Sequence, residues 1–335
     1  MQYGDCEIMK LKYVENMNHN YLEEALSFYN IKESDVTLLR HNENLTYRIG
    51  TDYLLQIHEH IDGFYTDYLY EGLDRVAVYE AEIAFLEHLK KQGMIIRETV
   101  ENCYGERMSK LKDGTLVNVS RWIEGEALNN LELNDDLCYK IGELTARLHR
   151  CAKGFQTFPV ISYDEQHCKH IIKRLQALEG MGLNIMYSET MQKACETVRI
   201  ALRNLRNEFL MLHGDLSSSN ILQTSNGLVA IDFSLFGMGH PMLDLAVLFG
   251  NISGLARRQK IAEGYRDAGG IINYEALDAC YVLTILDCVV MHYEKWSKQD
   301  WFEERMNRWC KENFEPFERG ERVFADDFYL IHVKG

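Results

Sequence analysis

The spacing of apolar residues divides the chain into a front that reads as strands and a back that reads as helices. LTYRI and YLLQI flank Gly50-Thr51-Asp52, two β-type runs about a short turn. Closing that hairpin with Ile49 opposite Tyr53 puts Thr46 opposite Gln56 and makes Arg48 a same-face diagonal neighbour. Val76 to Lys91 reads as a helix, with Ile83, Leu86 and Leu89 on one stripe. A second pair of strands flanks Asp113-Gly114 and ends in TLVNVSRWI. The polar break Glu124-Gly125-Glu126 follows and predicts a boundary, with a front lobe over 1–123 and a helical lobe over 124–335. Behind it, Leu137, Ile141, Leu144 and Leu148 have helical spacing, and helices are predicted within 163–206, 255–267 and 274–297. One β island, Asn220 to Phe233, interrupts them. The pattern is that of an α+β fold.

Composition narrows what such a fold could serve. With 335 residues, 46% of them hydrophobic, the chain can bury a sizeable core. It carries 36 basic against 51 acidic residues, a formal charge of −15, which argues against nucleic acid and suits a cationic ligand. Nine cysteines lack any C-x-x-C spacing, and several lie in apolar runs, as Cys280 and Cys288 do. They read as free thiols of a reducing compartment. MQYGDCEIMK has no apolar core of a signal peptide, and no run of roughly 18 apolar residues suggests a membrane span. The expectation is a soluble cytoplasmic protein with no membrane partner.

The β island carries the candidate chemistry. An apolar run leads into His213-Gly214-Asp215-Leu216-Ser217-Ser218-Ser219-Asn220, and ILQ and LVAIDF follow on either side of Asn226-Gly227. Asn-Gly between such runs is a strong hairpin signal. Folding the chain about Asn226 sets Asn220 opposite Asp232, close enough for an amide oxygen and a carboxylate to share a cation such as Mg²⁺. Asp215, beside them, could accept a hydroxyl proton.

One base and two metal ligands, with Asp215 and Asn220 five residues apart, form the pattern kinases use. HGDLSSSN, then IDF, then GHPMLDLA resembles the aminoglycoside phosphotransferase and choline kinase superfamily, over about Leu38 to Phe249. That resemblance implies a bilobal protein-kinase-like fold and an ATP- and Mg²⁺-dependent phosphotransferase acting on a small-molecule hydroxyl. It makes Asp215 the catalytic base, with His213 and Asp244 supporting its loop and Asn220 and Asp232 holding the metal. His240 replaces the usual Asp of the family's G-D-P. Ser234 in place of the Gly of D-F-G, with no A-P-E segment, argues against a protein substrate.

The nucleotide part of the resemblance is thinner. His41-Asn42-Glu43-Asn44 stands where the family has a phosphate loop, without its glycine, and neutral Gln56 occupies the position of the usual Lys or Arg. Glu82, on the apolar stripe of its helix, matches the glutamate that normally pairs with that cation, and Arg48 is its candidate substitute partner. The hinge VSRWIEGEAL would offer adenine the carbonyl of Arg121 and the N–H of Ile123. The acceptor stays open between an aminoglycoside-like or other aminated compound and choline, homoserine or a sugar. A non-catalytic nucleotide-binding pseudokinase is the alternative that Gln56 suggests. His58-Glu59-His60 and His167-Cys168-x-His170 bring metal-ligand types together but lack a second pair at zinc spacing. Tyr293, Trp296 and Trp301, near Glu294, Asp300 and Glu303, are expected to be core before they are an ammonium site.

Overall fold

A computed structural model describes residues 21–31, 36–41, 44–59 and 63–323. The chain forms two compact units, one from the stretch up to Asp62 with Arg97–Ile123, the other from Gly63–Ile96 with Glu124 onward.

In the first unit, an α-helix over residues 21–28 (α1) packs on an antiparallel sheet. Its strands are β1 (Val36–His41), β2 (Leu45–Ile49), β3 (Tyr53–Ile57), β4 (Thr99–Val100), β5 (Ser109–Lys110) and β6 (Leu116–Arg121). The order is β1-β2-β3-β6-β4, with β5 also paired to β6. The hairpin register is the one the sequence predicts, Ile49 opposite Tyr53 and Thr46 opposite Gln56. Alternation does the rest. Leu45, Tyr47, Ile49, Leu55, Ile57, Val117 and Val119 form a core with Leu22, Ala25 and Leu26 of α1. Thr46, Gln56 and Asn118 stand side by side on the other face.

The second unit begins with α2 (Arg75–Lys91), which corrects the expected division of the chain. Residues 63–96 belong with the helical unit, because α2 buries Val78, Ala81, Phe85 and Leu89 in that unit's core, with Phe85 against Phe155, Phe233 and Phe236. After β7 (Glu126–Ala127) come α3 (Asp135–Ala152), β8 (Ile161–Ser162), α4 (Glu165–Glu179) and α5 (Ile185–Asn204). Then follow β9 (Leu210–Leu212), β10 (Ile221–Thr224), β11 (Gly227–Ala230), β12 (Gly237–Gly239), α6 (Met242–Asn251), α7 (Leu255–Asp267), α8 (Tyr274–Trp296), α9 (Phe302–Trp309) and α10 (Glu315–Glu318). Asn134, Asp164, Asn184 and Asn273 cap α3, α4, α5 and α8 by accepting N–H groups of the first turn. Two small sheets, β11-β10-β7 and β8-β12-β9, carry the loop with the candidate chemistry.

α8 departs from the expectation that no run is apolar enough to span a membrane. It is long and apolar enough by length and composition, yet 72% of its apolar window is buried inside the protein. That burial, against α4, α5 and α6, accounts for its long apolar stretch.

Candidate active site

β9 leads into His213, whose ring is completely buried and turned onto the backbone. Its Nε2–H donates to the carbonyl of Ile231 at 2.9 Å, and its Nδ1 accepts the N–H of Asp215 at 3.3 Å. Burial pushes its pKa below the ordinary 6.5, which keeps this tautomer neutral. The ring therefore supports the loop; it does not face a reactant. Gly214 turns the chain with φ +84, and a Cβ there would lie 1.9 Å from the carbonyl oxygen of Leu235, so only glycine fits.

Asp244, in the first turn of α6, holds the loop from below. Its Oδ2 accepts the N–H of His213 at 3.2 Å and Nε2–H of His149 at 3.0 Å, and its Oδ1 accepts the N–H of Gly214 at 3.0 Å. Burial by itself would raise this carboxyl, but the hydrogen bond and charge of His149, with His213 and the Gly214 N–H, hold it below the usual carboxylate range. His149 in turn meets the Tyr265 hydroxyl at 2.9 Å. Neither His149 nor Tyr265 stands out in the sequence, since each looks like one more residue on a helix face.

Asp215 is half-buried, and its Oδ2 accepts a hydrogen bond from Asn220 Nδ2 at 2.8 Å. The same Nδ2 reaches the Asp215 carbonyl at 3.0 Å. Both donor contacts of the amide are spent on Asp215, and the Asn220 Oδ1 is left buried with no hydrogen-bond partner. An orphaned buried acceptor is costly in a finished fold and fits a cation.

The hairpin that carries Asp232 differs from its predicted register by one residue. Ile221 faces Ala230 and Thr224 faces Gly227, so Asn220 lies opposite Ile231, whose N–H donates to the Asn220 carbonyl at 2.9 Å. The turn is centred between Ser225 and Asn226, with Gly227 at φ +109. Asp232 then adopts φ +64, a left-handed conformation that leaves the strand's alternation behind. Such backbone costs on the order of 1 kcal/mol or more and clusters at functional sites. Asn220 and Asp232 thus bracket Ile231, and both contribute hard oxygen donors of the kind Mg²⁺ and Ca²⁺ prefer. His240, in place of an Asp, accepts the N–H of Met242 on its Nδ1 at 3.2 Å and pairs with Glu208 at 3.2 Å, so it takes over the turn contact at the start of α6.

The predicted nucleotide residues are distributed over both units. In the first, Gln56 accepts a hydrogen bond from Asn118 at 3.4 Å, and Asn118 also meets His58 Nε2 at 2.8 Å. Asn118 was not singled out in the sequence, although strand alternation from Gln56 would have found it. Arg48 lies 4.4 Å over the Trp122 ring and donates to the Gly50 carbonyl at 3.1 Å. Arg121 is exposed and stacks on Tyr53 at 4.8 Å, while its N–H bonds to Glu98. Ile123 ends this unit. Glu82 is half-buried on α2 of the second unit. Of the expected phosphate loop, Asn42 and Glu43 lie outside the described residues, as does His60.

His167 bonds the buried Asp287 at 2.8 Å, and His170 meets the Tyr68 carbonyl at 3.1 Å. Tyr293 is core, as expected, whereas Trp301 is 39% exposed.

The model of the phosphotransferase enzyme family matches residues 35–280. Amicoumacin kinase of Bacillus subtilis (strain 168) is 22% identical over 248 residues, covering 69% of this chain and 67% of its own length. Among solved structures, an amicoumacin kinase in complex with AMP-PNP, Ca²⁺ and Ami superposes with a TM-score of 0.74 at 17% identity, over 98% of this chain and 100% of that one. A microcompartment-associated aminopropanol kinase gives 0.72 at 18% identity, over 91% and 99%. A choline/ethanolamine kinase family protein from Mesorhizobium loti gives 0.61 at 17% identity, over 93% and 97%. The fold is the kinase-like α+β fold of these proteins, and the chain belongs to the phosphotransferase enzyme family, whose members here are small-molecule kinases.

Proposed function

We propose that this protein transfers the γ-phosphoryl group of ATP to a hydroxyl of a small molecule, with Asp215 as the base and Asn220 and Asp232 as ligands of Mg²⁺. The observation that carries the reading is the Asn220 amide, locked to Asp215 through its nitrogen and left with a buried, unpartnered oxygen. Mg²⁺ bound there would neutralise phosphate charge as the transfer proceeds. Asp215 orients the acceptor hydroxyl and takes up its proton, and Asn220 fixes the rotation of the Asp215 carboxylate. His213, Gly214 and Asp244 keep the loop in place without touching reactants.

Nucleotide use is supported by relatives bound to GDP or to ADP, and ATP in particular by the amicoumacin kinase bound to AMP-PNP. On this reading Arg121 and Ile123 hold adenine through backbone groups. Gln56 contributes a neutral hydrogen bond to the phosphates, Arg48 supplies the positive charge that the usual lysine would, and Glu82 keeps the role of that cation's partner. The pseudokinase alternative draws on Gln56, which is already bonded to Asn118. Melting curves with and without Mg²⁺ and ATP test the assignment. Ligand binding stabilises the native state only through sites that state retains. Asp232→Ala should abolish the Mg²⁺-dependent part of the ATP shift, and an unchanged shift removes Asp232 from the metal site.

A further inference from the structure

In the first unit, one face of the sheet packs on α1, and the strand positions of the other carry the polar residues. Register sets Thr46, Gln56 and Asn118 side by side on that second face. The charged residues at its strand positions are Arg40, Arg48 and Lys110, and among the described residues no acid joins them. Glu59, the nearest acid along the chain, acts instead on Tyr21 of α1, at the opposite face. The surface therefore suits an anion.

The two amides and His58 form a chain of hydrogen bonds with a fixed direction. His58 Nε2 lies 2.8 Å from Asn118 Oδ1, an acceptor, so the imidazole donates there. Asn118 Nδ2 then donates to Gln56 Oε1 at 3.4 Å. That bond uses the Gln56 oxygen, and the amide nitrogen at the other end makes no hydrogen bond among the described residues. Both amides could turn over together and keep their mutual bond. Gln56 would then present an oxygen, and Asn118 would aim its NH₂ at the His58 N–H. The His58 proton thus decides which end of Gln56 is offered.

A second observation lies beside this end. Thr46, directly opposite Gln56, is 3% exposed, and its hydroxyl has no hydrogen-bond partner. The Ser120 hydroxyl on the same face is in the same state. A buried hydroxyl without an acceptor is costly, and an anion seated at Gln56 would supply one.

Resting on the phosphotransferase reading, we propose that Gln56 Nε2 and the Thr46 hydroxyl grip a phosphate oxygen of the nucleotide as neutral donors. Asn118 and His58 are positioning residues that keep the nitrogen of Gln56, and not its oxygen, toward that phosphate. The usual lysine needs no such help, because an ammonium presents donors in every rotation.

The probe is ADP with Mg²⁺, its affinity measured by calorimetry, beside the melting temperature of each ligand-free variant. Gln56→Met should weaken ADP about tenfold, through the loss of a bond to a charged group. Asn118→Ala and His58→Phe should each weaken it about threefold. In a Gln56→Lys background the same two changes should cost nothing, whereas a merely structural role would cost the same in both backgrounds. Thr46→Val should weaken ADP about threefold and leave the melting temperature level or higher, because the hydroxyl it removes has no partner in the free protein. The proposal is overturned by a wild type that does not bind ADP, or by affinity that Gln56→Met leaves unmoved. It is equally overturned by Asn118 and His58 losses that persist with lysine at position 56, or by a Thr46→Val that melts lower without weakening ADP. Phosphoryl transfer to hydroxyl compounds is assayed separately. The predicted affinity losses without any phosphorylated product count against the phosphotransferase reading alone. Product from a wild type whose ADP affinity is indifferent to these residues counts against this proposal alone.

Discussion

At residue 214 a methyl group would lie 1.9 Å from the Leu235 carbonyl, on a backbone with φ +84. Gly214→Ala must therefore move the loop that carries Asp215 and also strain the left-handed backbone by about 1–2 kcal/mol. The variant should melt lower and lose phosphoryl transfer more than nucleotide binding, which calorimetry and turnover assays measure together. An unchanged melting temperature would mean that the loop is not fixed at this point. His213-Gly214-Asp215 and Asn220 could be read in the sequence because their relation is local, a loop of fixed length after a strand. Asp232 could be named but not placed. Its left-handed φ depends on packing that an Asp in IDF does not announce, and the one-residue error in register came from centring the turn on Asn226 when it lies between Ser225 and Asn226.

Among the elements, α6 does most to hold the site, through Asp244. That carboxylate is wholly buried and accepts three hydrogen bonds, from His213, Gly214 and His149. Asp244→Asn replaces one acceptor oxygen by an NH₂ group facing donors. Breaking such a buried charged network typically costs about 3–5 kcal/mol. Denaturant unfolding should show a loss of that order, whereas a change under about 0.5 kcal/mol, typical of an unconnected surface position, would contradict the network. The helix itself was not foreseen. MLDLAVLF is buried on nearly every side, and without a polar face an apolar run has no period to read. α7 and α8 did have readable extents, because polar neighbours marked their ends and Asn273 caps α8. β8 and β12, of two and three residues, are too short to leave a pattern. The grouping of α2 with the helical unit was also hidden, since its apolar stripe says that it packs but not against what.

Over the whole molecule, buried and half-buried histidines set the response to acid. Burial lowers His213 and His240 below the ordinary value and brings His292 from 6.5 to about 4. Below pH 6.5 the unfolded chain takes up these protons and the folded chain does not, so folding stability falls as pH drops from 6.5 toward 4. The lowered Asp244 carboxyl acts in the same direction, losing its contribution as pH falls through its folded value. Urea unfolding from pH 7.5 to 4.5 should show this decline, and His292→Phe should flatten it; stability that is level or rises on acidification would contradict the buried neutral state. The central claim remains phosphoryl transfer through Asp215, and it is tested most directly by incubating wild type and Asp215→Asn with ATP, Mg²⁺ and a library of hydroxyl compounds, with phosphorylated product measured by mass. The account predicts product from the wild type and a rate about 10²–10⁴-fold lower in Asp215→Asn, at unchanged ATP affinity. A variant that transfers phosphate at close to the wild-type rate would contradict it.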